Sequence, residues 1–439
     1  MGSRFADIEA KKYRGRCSTM SKEKHQAAPA MRSFFSNRFI QAILLSGLFL
    51  QLGIWVRNFA ILLFVTEQTN KDPFAITLVS VAEFAPIFLF SFIGGAFADR
   101  WKPKRTMVLC DLLSALSVFA VLAALVYGGW QAIFFATLVS SILSQFSQPS
   151  GMKLFKLHVP EAQMQMGMSM YQTIMAIFMV LGPMLGTFVY FRFGMDTAIA
   201  IMGTSFLLSA LVLAFLPADP KTGAVPSSNV MQEMKMGFRY VTANKLFLFM
   251  GAFFLVAGLG MGLISPLGIY LVTENLGLTS EDLQWFTAVN GIGMIFGGAM
   301  AMGLSKKAGP QAMLLTGFVV SALSVAVLGS VHETWPAIIA QFAAGLMGPL
   351  IHISCNTLIL KNADEAFVGR VNGILNPLFM GAMVLDMSLV GVLKANLPLS
   401  SIYLIAAGLF TVGALIMLPM LRLRPANGIE KIPVAEALH

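Results

Sequence analysis

Charge is what this sequence has least of. Asp, Glu, Lys and Arg together make 12% of its 439 residues, about half of the ~25% that covers the surface of a soluble domain. Apolar residues fill the gap at 57%, and the mean hydropathy is +0.76. So few charges would leave apolar area that water cannot accommodate, which excludes a cytosolic enzyme. A disordered chain is excluded as well, because disorder needs low hydrophobicity and high charge. Cysteine is scarce: Cys17, Cys110 and Cys355 stand too far apart for a disulfide framework or a paired-cysteine metal site, and the five histidines are as scattered. No Gly-x-x-x-x-Gly-Lys-Ser/Thr loop is present to cradle ATP, and neither a His-Glu-x-x-His zinc motif nor a Gly-x-Ser-x-Gly elbow occurs. Direct ATP drive, intramembrane hydrolysis and a bound metal or cofactor therefore have no sequence support. Ion coupling remains as an energy source.

What the chain has in abundance is apolar runs of the length that crosses a bilayer, about 20 residues each. Twelve are read, near 39–66, 73–98, 106–126, 131–149, 168–191, 195–216, 246–272, 283–304, 311–330, 335–356, 370–393 and 399–421. They predict an all-α membrane protein of twelve transmembrane helices in two pseudo-symmetric six-helix bundles. The organisation is an N-terminal segment over 1–38, a bundle over 39–216, a linker over 217–245, a second bundle over 246–421 and a tail over 422–439. The N-terminal segment is polar and basic, lacks the apolar core of a signal peptide, and is expected to be disordered. The linker is the longest polar interruption inside the array, with Pro217, Pro220, Pro226, Lys235 and Arg239. An internal repeat supports the division: Gly94-Gly95 before a basic loop recurs as Gly297-Gly298 before Lys306 and Lys307, and Glu161-Ala162 recurs as Glu365-Ala366. Both offsets are 203 to 204 residues. Duplicated six-span halves are a transporter architecture.

The net charge of +9 is distributed in loops, which argues for a membrane rather than nucleic acid. With both termini cytoplasmic, 26 of the 30 Lys and Arg residues fall inside, as the positive-inside rule requires. Lys71, Arg192 and Lys394 fall outside, and Arg57 lies within the first span.

The loop between the second and third spans reads Gly94-Gly95-Ala96-Phe97-Ala98-Asp99-Arg100-Trp101-Lys102-Pro103-Lys104-Arg105. Gly95 permits close helix approach, and Asp99 has Arg100, Lys104 and Arg105 to meet it. An ordinary positive-inside loop is the plainer alternative. The segment resembles the signature of the major facilitator superfamily, in which Gly, three residues, Asp-Arg, one residue, Gly, one residue and two basic residues follow one another. Gly95, Asp99, Arg100, Lys104 and Arg105 match, while Lys102 takes the place of the second glycine. Gly182-Pro183-Met184-Leu185-Gly186 is similar to the antiporter motif of the superfamily's exporters, with Thr187 and Phe178 standing where glycines are usual. Phe146-Ser147-Gln148-Pro149 and His158-Val159-Pro160-Glu161 resemble the branch containing macrolide-efflux and enterobactin-export proteins. The resemblance covers about residues 35–422 and implies alternating access by two rocking bundles, with export driven by protons.

Ionisable residues within apolar spans cost about 2.5–3.5 kcal/mol each on insertion scales, so the few present are informative. Arg57 and Glu83 each lie about 14–15 Å below the outer boundary at 1.5 Å per residue, and can meet. They are either a proton-coupling pair or a structural salt bridge. Asp386, deep in span eleven without a partner in its own helix, is a further proton site or is paired across the bundle. Asp111 is read as part of the loop's charge network, and with the loop residues it makes a cytoplasmic gate. Gln172, Asn290, Asn372 and Asn376 offer hydrogen bonds to a cargo or between helices. The 29 methionines and 36 phenylalanines suit a soft apolar cavity or a lipid-facing surface.

The reading is a non-enzymatic, monomeric secondary transporter in the bacterial inner (plasma) membrane, its partners being the lipid bilayer, protons and an amphipathic small molecule that it exports. A lipid or lysolipid translocator on the same scaffold and a membrane receptor without turnover are the alternatives.

Overall fold

The computed structural model describes residues 37–217, 230–305, 308–364 and 367–422. The side chains of 91–100, 161, 162, 165, 230, 231, 233 and 420–422 lie outside that description, and with them the predicted loop residues Gly95, Asp99 and Arg100. The expected disorder of 1–38 and most of the tail over 422–439 also fall outside the described residues.

The described chain is helical, without strands. Its first four helices are α1 (Arg38–Gln68), α2 (Pro73–Arg100), α3 (Pro103–Val126) and α4 (Ala132–His158). Asn37 starts α1 by accepting the Phe39 amide at 3.0 Å, and Pro103 starts α3 at a position whose N–H has no helical partner in any case. The next stretch, Glu161–Ala214, has 54 residues, about 80 Å at 1.5 Å per residue, far beyond the ~30 Å hydrocarbon core. It breaks at Gly194, where φ is 80° and ψ 177°, a region open essentially to glycine. Contacts along α1 show what the break does. Gly47 faces Tyr171 and Gly186 faces Phe59, so the arm over 161–193 (α5) runs parallel to α1. Gly53 faces Met202 and Ser205 while Ser46 bonds Ser209 at 2.8 Å, so the arm over 195–214 (α6) runs back.

Helix α7 (Val230–Ala243) follows, then α8 (Lys245–Ile264), α9 (Leu283–Leu304), α10 (Pro310–Ser330), α11 (Thr334–Asn362), α12 (Val368–Asn396) and α13 (Leu399–Arg422). Ten described helical stretches are long and apolar enough to cross a membrane. Splitting the one that contains Gly194 gives eleven, and α4 is the twelfth helix, diluted by polar residues from Ser140 to Gln148. Large apolar side chains such as Leu116 (66%), Leu323 (65%) and Leu385 (69%) face outward, as expected of helices that are apolar all round.

Three differences from the sequence reading have physical reasons. Helix α4 runs through Pro149 to His158 instead of ending at 149, with Lys156 and His158 suiting the negative end of the helix dipole. The predicted polar linker contains α7, whose Gly237 lies against Arg370 and whose Tyr240 ring stacks on Phe367 at 4.4 Å. The predicted continuous span 246–272 is interrupted by a 3-10 turn at Ser265–Leu267 and ends in a π turn at Leu271–Asn275. Pro266 has no N–H to give to the Gly262 carbonyl, so the regular ladder stops there.

Packing is extensive within α1–α6 and within α8–α13; between them the large contacts are α2 with α12 and α5 with α9. Gly391 lies against Phe74 and Gly381 against Phe88, so α2 and α12 run antiparallel. Gly291 lies against Met179. Helix α7 packs on α12 and α8. The end where α1 starts also carries the α2–α3, α4–α5 and α10-flanking basic loops and is called the basic face below; the α1–α2 turn lies at the opposite face.

Candidate functional site

Arg57 is 5% exposed and needs partners for a charge that cannot be shed. Its Nε donates to Asn58 Oδ1 at 2.8 Å, and one terminal nitrogen donates to Ser140 Oγ of α4. The other terminal nitrogen lies 3.7 Å from Glu83 Oε1. The closer donor to that oxygen is Asn58 Nδ2, at 2.7 Å. Arg57 and Glu83 therefore do meet, as their depths predicted, but within a four-residue network. Asn58 and Ser140 were missed; the same criterion of a polar residue inside an apolar run finds both.

Asp111 is 3% exposed and faces α6, accepting a 2.6 Å hydrogen bond from Ser209, itself bonded to Ser46. Eight residues into α3, about 12 Å from its start, it sits in a hydroxyl network; the side chains of the loop residues Asp99 and Arg100, with which it is grouped above, lie outside the described residues. Among the described residues Asp111 has no ion pair. Lys104 donates to the carbonyls of Ala214 and Leu216, capping the end of α6 where carbonyls lack helical donors. Arg105 is exposed.

Gly182 and Gly186 of the antiporter-like motif both lie against α1. A Cβ at Gly182 would stand 2.4 Å from Trp55, and one at Gly186 would stand 2.7 Å from Phe59 Cβ and 2.9 Å from the Trp55 carbonyl. Pro183 lies between them on α5. Gly186→Leu is expected to lower the yield of folded protein and its thermal midpoint in detergent, at a cost of about 1–3 kcal/mol for overpacking. Gly298→Leu, with nothing within 4 Å of the new Cβ, should leave both unchanged. Equal midpoints for the two variants would remove the packing role.

Asp386 is half-buried on α12, and its Oδ2 has no hydrogen-bond partner among the described residues. Its Cβ would lie 3.1 Å from a Cβ at Gly262, one turn before the break in α8. Among the described residues that oxygen has no partner across the bundle either.

A cavity of 1410 Å³ opens beside this machinery. Its wall comes mostly from α8–α13, with Phe59, Leu62, Ser80 and Ile87 contributed by α1 and α2. Ser80 and Ile87 flank Glu83 on one helical face. Aromatic rings such as Phe254, Phe286 and Phe379 supply much of the wall. At one end Leu271, Leu283 and Leu328 are buried (3%, 7% and 4% exposed). At the basic face Gly369 is exposed and Met234 and Arg370 are half-buried. The cavity is thus closed at the opposite face and open at the basic one. Asn290, Asn372 and Asn376 line it, as their placement in apolar spans predicted. Asn290 also donates to the Gln341 carbonyl at 3.2 Å, the interhelical use of an amide. Gln172 is not among the lining residues. It is exposed on α5, seven residues or about 10 Å toward the basic face from the contact at Met179. His352, Asn356, Gln341 and Arg370 line the cavity and were missed; His352 and Asn356 at i, i+4 within an apolar run were the available signal.

A family model described as Major Facilitator Superfamily matches residues 43–261 and 250–438. The chain belongs to the major facilitator superfamily. Its membership makes it a multi-pass membrane protein of a transporter family. The chain is 26% identical over 374 residues to the MFS-type transporter YkuC of Bacillus subtilis (strain 168), covering 82% of this chain and 86% of that one. It is 22% identical over 410 residues to the enterobactin exporter EntS of Shigella boydii, covering 90% and 93%. The crystal structure of the nucleoside transporter NupG superposes with a TM-score of 0.70 at 17% identity, covering 88% of this chain and 99% of that one. At that identity the likeness speaks for the fold of this superfamily member.

Proposed function

We propose that this superfamily member is a proton-coupled exporter of an amphipathic small molecule, working by alternating access between two six-helix bundles, residues 39–216 and 246–421, joined by the linker over 217–245. The observation that carries the reading is the 1410 Å³ cavity at the boundary between the halves, open at one face and sealed at the other. Two bundles meeting through α2–α12 and α5–α9 can rock about those contacts and exchange which end is sealed. The basic face is cytoplasmic, since loops rich in Lys and Arg stay inside. Both termini then lie in the cytoplasm of a bacterial cell and the cavity faces the side from which an exporter loads. Similarity to the enterobactin exporter EntS supports the outward direction.

Arg57, Glu83 and Asp386 are the coupling residues in this reading. A carboxylate that exchanges a nearby arginine for apolar surroundings exchanges charge for a proton. The loop from Gly95 to Arg105 is the cytoplasmic gate, with Lys104 anchoring it to α6. The protein acts as a monomer, and nucleic acid has no role.

The test is reconstitution of the purified protein in liposomes with an imposed proton gradient and a panel of charged and neutral amphipaths. Gradient-dependent movement of a compound, accompanied by proton flux, is the expected result. Binding without flux would leave a receptor and end the transporter reading.

A further inference from the structure

We infer that the cavity selects organic anions, an aromatic or apolar body carrying one acidic group, through Arg370, His352, Asn356 and Asn376. The inference deepens the export reading above by naming the charge of its cargo.

The charge balance of the wall is one-sided. Among the described lining residues there is a guanidinium at Arg370 and an imidazole at His352, and no carboxylate. The acids described nearby are occupied elsewhere or turned away. Glu83 accepts from Asn58 beside Arg57 and is not on the wall. Asp364 is engaged by the Tyr240 hydroxyl at 3.4 Å. Asp386 stands beside the break in α8, also off the wall. A cationic cargo would meet ring faces at Phe254, Phe286 and Phe379, which attract it, but no described carboxylate on the wall to pair its charge.

An anion meets a graded set of donors. Arg370 comes first, two residues into α12 at the open end, its guanidinium carbon held 4.9 Å over the Phe367 ring. It has no ion pair among the described residues, and its planar fork of N–H donors matches a carboxylate or sulfonate. Asn376 follows on the same helix, six residues or about 9 Å further in. It is exposed to the cavity and has no hydrogen-bond partner among the described residues. His352 and Asn356 occupy one face of α11, the amide 3.2 Å from the His352 ring nitrogen Nδ1, and His352 is likewise exposed to the cavity. His352 lies ten residues, about 15 Å, from the basic end of its helix, and Asn376 eight residues, about 12 Å, from the basic end of its own. The acidic group therefore settles at this middle level after passing Arg370, and the body lies among the rings.

The experiment uses one fluorophore in three charge states: dansylglycine (anionic), dansylamide (neutral) and dansylcadaverine (cationic). Binding to the full chain in nanodiscs of zwitterionic lipid is followed by anisotropy. Dansylglycine is expected to bind about tenfold more tightly than dansylcadaverine, the effect of a charge-assisted hydrogen bond. Arg370→Gln and His352→Gln should each shrink the dansylglycine-to-dansylamide selectivity several-fold, about threefold to tenfold, and Arg370→Lys should restore part of it. Monodisperse elution of each variant checks folding, and Arg370→Lys separates loss of charge from loss of structure. Tighter binding of dansylcadaverine, equal losses for all three dyes, or no binding of any of them overturns the assignment. Dye flux into liposomes is measured separately. Selective anion binding without flux supports the site and defeats the export reading, whereas flux that favours the cation defeats the site and leaves export standing.

Discussion

Replacing Glu83 by glutamine is expected to abolish gradient-driven transport while sparing cargo binding and energy-independent exchange. Glutamine keeps the volume and the oxygen that accepts from Asn58 at 2.7 Å, but it carries neither charge nor a transferable proton. The driving force it forgoes is large, about 1.4 kcal/mol per pH unit plus about 2.3 kcal/mol per charge per 100 mV. Arg57→Ala should do more harm to the protein itself. It removes the donors to Asn58 and Ser140 and leaves the carboxylate unpaired, a change that costs about 3–5 kcal/mol for a buried pair. Because Glu83 is 22% exposed, the loss should fall toward the lower figure. Yield after size-exclusion chromatography and counterflow in liposomes measure the two effects. Were Glu83→Gln to concentrate cargo at the rate of the unaltered protein, the pair would be structural, and the unpartnered Asp386 would be the carboxylate to test next, by Asp386→Asn.

The apolar helices were legible because apolar length is a property of the residues themselves. The meeting of Arg57 with Glu83 was legible for a related reason: consecutive antiparallel helices joined by a short turn bring equal depths together. What one helix presents to a distant one was not legible. Gly182 and Gly186 carry no mark of whether α1 or the other half will fill the space that they leave, and packing chose Trp55 and Phe59. Asp111 stands near the loop's cations in sequence, and nothing local in the sequence shows that helical phase turns it toward Ser209, 98 residues away. Pro266 was visible, yet the sequence carried no sign that α12 would pack Met383 and Asp386 against Gly262, one turn before it. The cavity wall was half legible. Amides in apolar spans drew notice, whereas His352 passed as one of five scattered histidines.

A leucine at Gly391 is expected to drive the protein toward the conformation open at the opposite face. At that face the α1–α2 turn meets Tyr270 and the start of α2 meets α12. The Tyr270 hydroxyl donates to the Lys71 carbonyl at 2.8 Å, and the helix of Gly391 lies against the start of α2, where an added Cβ would meet Phe74 Cα at 3.2 Å and the Pro73 carbonyl at 3.4 Å. Asn70 and Lys71 hold left-handed φ values of 51° and 63°, which cost non-glycine residues about 1–2 kcal/mol each. The turn presents the Lys71 carbonyl to Tyr270. Overpacking at Gly391 adds about 1–3 kcal/mol against the sealed state, a shift of about tenfold in the population that is open. Tyr270→Phe, losing one hydrogen bond of about 1 kcal/mol, should move it the same way by less. The measurement is maleimide labelling of Ser265→Cys, a cavity-lining position near the closed end, with Cys17, Cys110 and Cys355 changed to serine. Labelling by an impermeant reagent from the opposite face should accelerate in Gly391→Leu and slow from the basic face if, as proposed above, the two openings exclude each other. Faster labelling from both faces at once would mean that the leucine loosens the bundle without switching it, and unchanged labelling would place the seal elsewhere than α2 and α12.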